Sequence, residues 1–431
     1  MTAVRDPRTR PAELPLGWLA EPRLLAGVDA ARLTDYRAHL VQHGPAPVPG
    51  REALLGQLDA VSLTGRGGAA FPLATKIRAL RAGAGAEVVV NGCEGEPASA
   101  KDTALLTHAP HLVLDGAAII AAAVGADRVL VAVTDRATAV GLEAAIGTRP
   151  DAPRFEVRLV AHRFIAGEAR ALVAALDGGT PLPPGRRIPP TERGVGGAPT
   201  LLSNAETFAQ LAVLVRIGAA RFGRVGTAAE PGTALLTVSG AVRRPGVVEV
   251  PIGSSLDSVA TAVGAYPSQA VVIGGFHGAW LPPDPRIELS RAGLAAIGGS
   301  LGAGVVIFVG QQSCGLAELG RVAGWLADES AGQCGPCAFG LPALAAEVQA
   351  VAAGAPVTGT ILRHAGMVRG RGACAHPDGA ARFLNSGLAV LAQDVARHQV
   401  TGGCGRPDRG HLSTSRDSAM AGRAVSVGMA S

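Results

Sequence analysis

The 431-residue chain is long enough for roughly two to four domains around a large core, and with 3% aromatic residues and 59 glycines it does not read as an aromatic-rich β-sandwich. Its formal charge of +5 is dispersed over separated arginines, with no basic run carrying interleaved aromatics, so nucleic acid is not an expected partner. Six cysteines are too few and too unevenly placed for a disulfide framework and direct attention to metal or redox chemistry.

Residues 1–10 carry Arg5, Arg8 and Arg10, but no apolar run follows, so no signal peptide is expected. A helix over 29–42 and a stiff Gly/Pro linker over 43–50 form an N-terminal segment, 1–50. From residue 51, helical stretches (51–60, 71–82, 109–124, 167–177) alternate with β-branched runs (87–90, 128–133, 155–160). That alternation predicts an α/β domain over 51–228 with a parallel sheet, whose ligands would sit at the carboxyl ends of the strands. The longest apolar stretch, 116–126, is flanked by Asp115 and Asp127 and is too short to cross a bilayer, so the expectation is a cytoplasmic protein with no direct membrane insertion. A Pro-rich bridge over 181–199 leads to a helix at 204–217. Short strands at 234–238, 247–250, 270–273 and 304–309, with one helix at 255–263, predict a small α+β domain over 229–312. Helices resume over 313–400, and the Gly/Ser/Arg-rich tail, 401–431, is expected to be disordered for want of core residues.

Only two of the 39 basic residues are lysines, Lys76 and Lys101, and both stand near the Gly-rich run GRGGAAFPLATK (65–76) and the acidic phrase NGCEGEP (91–97). In a chain that otherwise uses arginine, a lysine marks a place where a compact ammonium is needed in place of a flat fork. Gly65, Gly67 and Gly68 precede a helix and would let backbone N–H groups approach a phosphate or a flat ring, although the spacing matches neither the P-loop nor the dinucleotide fingerprint. Together with Lys76, Asn91, Glu94 and Glu96 they form a candidate cofactor cradle, with a solvated loop as the alternative for the two glutamates. The run 298–302 has the letters of a serine-hydrolase elbow around Ser300, but the strand follows the serine, where the elbow needs it before. Near the C-terminus, Cys334 and Cys337 form a C-x-x-C pair, with Cys374 following 37 positions later. Three thiolates fall one short of the usual four for an iron–sulfur cluster, and zinc with His376 as fourth ligand is the rival.

In order over about 60–390, these motifs resemble the NADH-binding, FMN-carrying F subunit of bacterial NADH:quinone oxidoreductase (complex I). The resemblance rests on GRGGAAFPLATK, NGCEGEP with Lys101-Asp102, AGE (166–168), PTLLSNAET (199–207), VSGAVRRPG (238–246) and ESAGQCGPC (329–337) with Cys374. It implies a Rossmann-like FMN-binding α/β domain, a ubiquitin-like (SLBB, β-grasp) domain and a C-terminal helical bundle for a [4Fe–4S] cluster. The related flavin-and-SLBB component of the Rnf complex shares the first two but arranges its cysteines differently. By position, Gly65, Arg66, Gly67, Lys76, Asn91, Glu94, Gly167, Glu168, Asn204 and Thr207 would line FMN, while Phe71, Lys76 and Glu96 would hold NAD(H). Cys334, Cys337 and Cys374 would bind the cluster.

The implied activity is hydride transfer from NAD(P)H to FMN and single-electron passage through the cluster to a ferredoxin-like or thioredoxin-like iron–sulfur partner. A larger electron-transfer complex could bring the chain to the membrane periphery through partners. The chain departs from the family's pattern at Cys93 (Asp in the family), Ala169 (a second Glu), Ala79 (an aromatic) and Ala331 (the first cluster cysteine). Ala79 and Ala169 leave open a flavin electron relay without nicotinamide. Ala331 leaves open a cluster with a non-cysteine ligand such as Ser330 or His376, a three-iron cluster, or no cluster, and a zinc-stabilised or scaffold subunit that has lost the flavin and its activity is the third reading.

Overall fold

The computed structural model describes residues 15–28, 35–80, 85–149, 154–185 and 187–414. The expectations for the first 14 residues, for 29–34 and 81–82 of two helices, and for 415–431 lie outside these residues.

The described chain opens with a short strand, β1 (Leu16–Trp18), and a helix, α1 (Tyr36–His43), before entering an α/β unit. There α2 (Arg51–Ala60), α3 (Leu73–Ala79), β2 (Glu87–Gly92), α4 (Lys101–His108), α5 (Pro110–Val124), β3 (Arg128–Val133), α6 (Arg136–Gly147), β4 (Arg154–Leu159), α7 (Ala169–Leu176), β5 (Thr200–Asn204) and α8 (Ala205–Phe222) follow in order. The four strands form an all-parallel sheet in the order β4-β3-β2-β5. Val88, Val89 and Val90 of β2 are wholly buried, which is why this strand reads as a continuous apolar run: both faces of a parallel sheet are covered.

Helix α5 starts on a proline at its first turn and stops at Gly125 in the left-handed region. It packs on α8 so closely that a Cβ on Gly116 would lie 1.9 Å from the Phe208 carbonyl oxygen. An ion cluster ties the same layer together. Asp115 of α5 meets Arg149 and His39 at 2.7 Å each, and also Arg216 of α8. Among the described residues no single helix is long and apolar enough to cross a membrane, and the apolar bent pair α4 and α5 is core.

Beyond Gly218, where α8 kinks at φ 75°, comes a second unit with β6 (Thr233–Gly240), β7 (Gly246–Pro251), α9 (Leu256–Val263), β8 (Ser268–Ile273), β9 (Ala279–Leu281), α10 (Arg291–Ala296) and β10 (Val305–Gly310). Its six-stranded mixed sheet has the order β1-β7-β6-β10-β8-β9. The N-terminal segment is therefore more than the expected helix and linker. β1 pairs in parallel with β7, Leu16 opposite Val247, and the Glu249 carboxylate accepts the backbone N–H groups of Arg23, Leu24 and Leu25.

The last unit is helical: α11 (Gly315–Asp328), α12 (Leu341–Ala352), α13 (Thr358–Val368), α14 (His376–Val390) and α15 (Ala392–Thr401). The expectation of disorder from residue 401 is corrected for residues 401–414. Leu412 is fully buried, Cys314 donates its N–H to the Pro407 carbonyl at 2.8 Å, and Arg321 binds Asp408. A single leucine, a few backbone bonds and side-chain pairs to Arg321, Glu318 and Asp394 dock this tail, a signal too sparse for composition to show.

Candidate functional site

The order β4-β3-β2-β5 reverses direction between β2 and β5, and ligands of such sheets bind outside the carboxyl ends at that switch point. There Asn91 stands opposite Asn204 in register. Beyond them opens a cavity of about 880 Å³ walled by the Gly65–Gly68 loop, the 91–102 segment, the 164–170 segment, the 274–277 and 300–303 loops of the second unit, and residues 373–382 of the helical unit. All three units meet on it.

Lys76 lies in this wall, mostly buried. Its ammonium donates to the Leu202 carbonyl at 2.9 Å, and no carboxylate among the described residues pairs with it. Burial lowers its pKa. Lys101 is placed differently. It is 2% exposed and its ammonium is shared between Asp102 at 2.8 Å and Glu206 at 3.0 Å; burial opposes the charge, but these carboxylates and Glu94 raise its pKa. Glu206 also accepts the Leu235 N–H of β6, so Lys101 joins the α/β unit to the mixed sheet.

Of the ten residues expected around FMN, eight line the cavity: Gly65, Gly67, Lys76, Asn91, Glu94, Gly167, Glu168 and Asn204. Two do not. Arg66 turns into a separate cavity of about 110 Å³ with Glu206, Glu230 and Arg291, and only its N–H serves the glycine loop, donating to Thr207 Oγ1 at 2.9 Å. Thr207 is fully buried beneath that loop. Several cavity residues are also bonded to protein. Asn91 donates to the Gly167 carbonyl at 2.9 Å and accepts the Cys93 N–H at 3.0 Å, while Glu94 accepts the N–H groups of Asp102 and Thr103 at the start of α4. Gly167 must be glycine, since a Cβ there would lie 2.7 Å from the Cys93 carbonyl.

The three nucleotide candidates, Phe71, Lys76 and Glu96, all line the cavity. Phe71 is half-exposed at its edge. Glu96 accepts the Phe276 N–H at 2.7 Å, and burial pushes its carboxyl up to about 7. Of the departures, Cys93 and Ala169 also face the cavity, and burial holds the Cys93 thiol up to about 12. Ala79 is exposed and outside the wall. Ser300 lies in the loop between α10 and β10, which excludes the hydrolase elbow.

Cys374 lines the cavity, whereas Cys334 and Cys337, in the turn before α12, lie outside its lining but close enough to Cys374 for the thiols to act on one another electrostatically. Burial works to raise all three thiols and neighbouring backbone N–H groups work against it: those of Ala373 and Cys337 outweigh it at Cys334, while that of Ala331 falls short at Cys337 and that of His376 at Cys374. Such bonds stabilise sulfurs in iron–sulfur sites. The expected zinc reading with His376 is not supported. His376 Nε2 is bonded to the Leu326 carbonyl at 2.8 Å and Nδ1 to His277 at 3.0 Å, which leaves no lone pair for a metal.

Arginines invisible to motif reading hold the thiol loops in place. Arg170 pairs with Glu168 at 2.9 Å and donates to the Ala373 carbonyl at 3.1 Å, Arg187 donates to Gly372 at 2.6 Å, and Arg163 donates to Ser330 at 3.3 Å. Their only sequence signal is proximity to AGE and to the Pro-rich bridge.

Residues 58–213 match the Nuo51 FMN-binding domain, and residues 317–398 match the NADH-ubiquinone oxidoreductase-F iron-sulfur binding region. A curated relative, the second NADH-quinone oxidoreductase F subunit of Rhizobium meliloti (strain 1021), is 30% identical over 363 residues, covering 78% of this chain and 86% of the relative. The chain belongs to the family of NADH-quinone oxidoreductase F subunits. The F subunit of Mycobacterium bovis (strain ATCC BAA-935 / AF2122/97) is 29% identical, covering 79% of this chain and 83% of its own. Among solved structures, a chain of an NAD+-reducing [NiFe]-hydrogenase in the air-oxidized state superposes with a TM-score of 0.75 at 29% identity. It covers 82% of this chain, which spans 64% of the hydrogenase chain's length.

The residues present fit the family's groups on two observations. A mostly buried ammonium with no carboxylate partner among the described residues sits in a wall that includes Gly65, Gly67, Gly68 and Gly167, as an anionic flavin needs. Three thiols, Cys374 in the cavity wall and Cys334 and Cys337 beside it, lie close enough to act on one another electrostatically, one short of a full cysteine set because Ala331 carries no ligand atom.

Proposed function

We propose that this member of the F-type flavin subunits is an FMN oxidoreductase that takes hydride from NAD(P)H and passes single electrons through an iron–sulfur centre to a ferredoxin-like or thioredoxin-like partner. The observation that carries the reading is the shared cavity, which Lys76, the glycine loop and Cys374 all line. When bound, FMN supplies the exchange between a two-electron donor and one-electron acceptors.

The chain's own residues then bind, orient and connect. Gly65, Gly67 and Gly167 give backbone access, and Lys76 supplies a cation in a desolvated wall, where its interaction is strong. Phe71 at the cavity edge and Glu96, buried in its wall, take the nicotinamide nucleotide, and Glu96 also locks the acidic loop to the turn between β8 and β9. Arg170 bridges Glu168 to the Cys374 loop, which fixes the cluster ligands relative to the flavin cradle. We read the mixed sheet with α9 as the ubiquitin-like SLBB module and the helical unit as the cluster domain, with Cys334, Cys337 and Cys374 as ligands.

A second reading, a flavin relay fed by another protein, is favoured by one observation: Ala169 lines the cavity where the family carries a carboxylate. Anaerobic titration of the FMN-loaded protein with NADH separates the two. Bleaching of the flavin supports the dehydrogenase, and a flavin that stays oxidised supports the relay. A purified chain without FMN overturns both.

A further inference from the structure

The geometry points to a second metal centre, formed by Cys314, His398 and Cys404, that takes one divalent ion of the zinc type. The three ligand atoms, two sulfurs and His398 Nε2, lie within 4.8 Å of one another, with Cys314 Sγ 3.6 Å from His398 Nε2. Ligand atoms of a tetrahedral zinc site lie roughly 3.5–3.8 Å apart, given the usual metal–sulfur and metal–nitrogen lengths, so small adjustments would admit the ion.

The orientation of His398 is the second observation. Its Nδ1 donates to the Ala352 carbonyl at 2.7 Å, which fixes the tautomer and leaves the Nε2 lone pair facing the cysteines. A carbonyl behind one ring nitrogen and thiols before the other is the arrangement that orients metal-bound histidines. Two thiolates balance the charge of a dication, and the three protein ligands leave one tetrahedral position for water.

The chain is folded to bring these groups together. Cys314 caps α11, accepting the Ala317 N–H at 3.4 Å, and His398 lies in the last turn of α15. Gly402, at φ 75°, then reverses the chain so that Cys404 returns to them. The site is separate from the cluster cysteines. Cys337 precedes the first turn of α12 and Ala352 ends that helix, so the two centres lie about 20 Å apart along it. An ion here would clamp the docked tail to α11 and α15.

The test is metal analysis of the full chain purified anaerobically from zinc-supplemented cells, beside Cys404→Ser and Cys334→Ser. The expected result is about one zinc per chain in the wild type and in Cys334→Ser, with a loss of roughly fivefold or more in Cys404→Ser at unchanged flavin content. Should Cys404→Ser fail to fold, cobalt(II) bound to the wild-type chain gives the independent reading, since two thiolates produce intense tetrahedral cobalt absorption. Wild-type protein without zinc and without that cobalt spectrum, equal zinc in wild type and Cys404→Ser, or a Cys314–Cys404 disulfide on peptide mapping would each overturn the proposal.

Discussion

Asn91 and Asn204 stand opposite each other at the carboxyl ends of β2 and β5, and both side-chain amides are bonded to loops of the cavity wall. Asn91 holds the Gly167 carbonyl and the Cys93 N–H, and Asn204 holds Asp102 at 3.0 Å. Asn91→Ala removes two bonds and leaves their partners unpaired, at a cost of about 1–3 kcal/mol. We expect lower thermal stability and roughly tenfold weaker FMN retention, read by fluorescence of released flavin on dilution.

Lys76 and Lys101 are predicted to behave differently, since one faces the cavity and the other is locked between two carboxylates. Lys76→Ala should weaken FMN retention by roughly tenfold or more with little change in melting temperature, and Lys76→Arg should also impair it if the compact ammonium matters. Lys101→Met leaves Asp102 and Glu206 buried and uncompensated and should destabilise by about 3–5 kcal/mol. Denaturant titration of both variants checks the contrast. Equal destabilisation would refute it.

Ala331→Cys places a fourth thiol in the proposed cluster run, where the Ala331 backbone already bears on the Cys337 thiol electrostatically. After anaerobic reconstitution, iron per chain should rise to about four and the reduced protein should show a [4Fe–4S] electron paramagnetic signal. No gain in iron over the wild type would show that the loop does not present residue 331 as a ligand.

The Glu96 carboxyl sits at about 7 in the fold, raised by burial, against an ordinary value near 4.3. Between these values the folded state holds a proton that the unfolded chain has lost. Its contribution is full below about 4.3 and is lost as pH rises through about 7. Glu96→Gln keeps an acceptor for the Phe276 N–H and should flatten that part of the profile, a difference of about 1–3 kcal/mol in relative stability between pH 5 and 8. Melting curves across this range provide the measurement.

Asp115 gives the opposite sign. Burial raises its pKa, but His39, Arg149 and Arg216 outweigh this and hold the carboxyl far below its usual range. Its stabilising contribution is present above about pH 4 and is lost as pH falls through that depressed value. Asp115→Ala removes the one carboxylate that Arg149, Arg216 and His39 share in the core and should cost about 3–5 kcal/mol at pH 7, read by urea unfolding.

Much of the architecture was legible in local patterns. The apolar runs at 87–90 and 128–133 are strands because both sheet faces are covered, and the glycine run and Cys374 mark the cavity wall. Local patterns missed α4, α6 and α10, the short strands β5 and β9, and β1, which is three residues long and becomes a strand only by pairing with β7. They also could not aim side chains: Arg66 follows Gly65 directly yet turns into another cavity, and His376 follows Cys374 closely yet gives both nitrogens to Leu326 and His277.

By itself, then, the sequence determined which chemistry-bearing residues exist and in what order: the glycine loop, the two lysines, three thiols and an alanine at 331. Only the tertiary structure decided which of them face one another. The reason is physical. Burial periodicity acts over a few residues, whereas the bonds from Arg170 to Ala373, from Glu96 to Phe276 and from Lys101 to Glu206 close loops of about 100 residues or more, fixed by the packing of whole units.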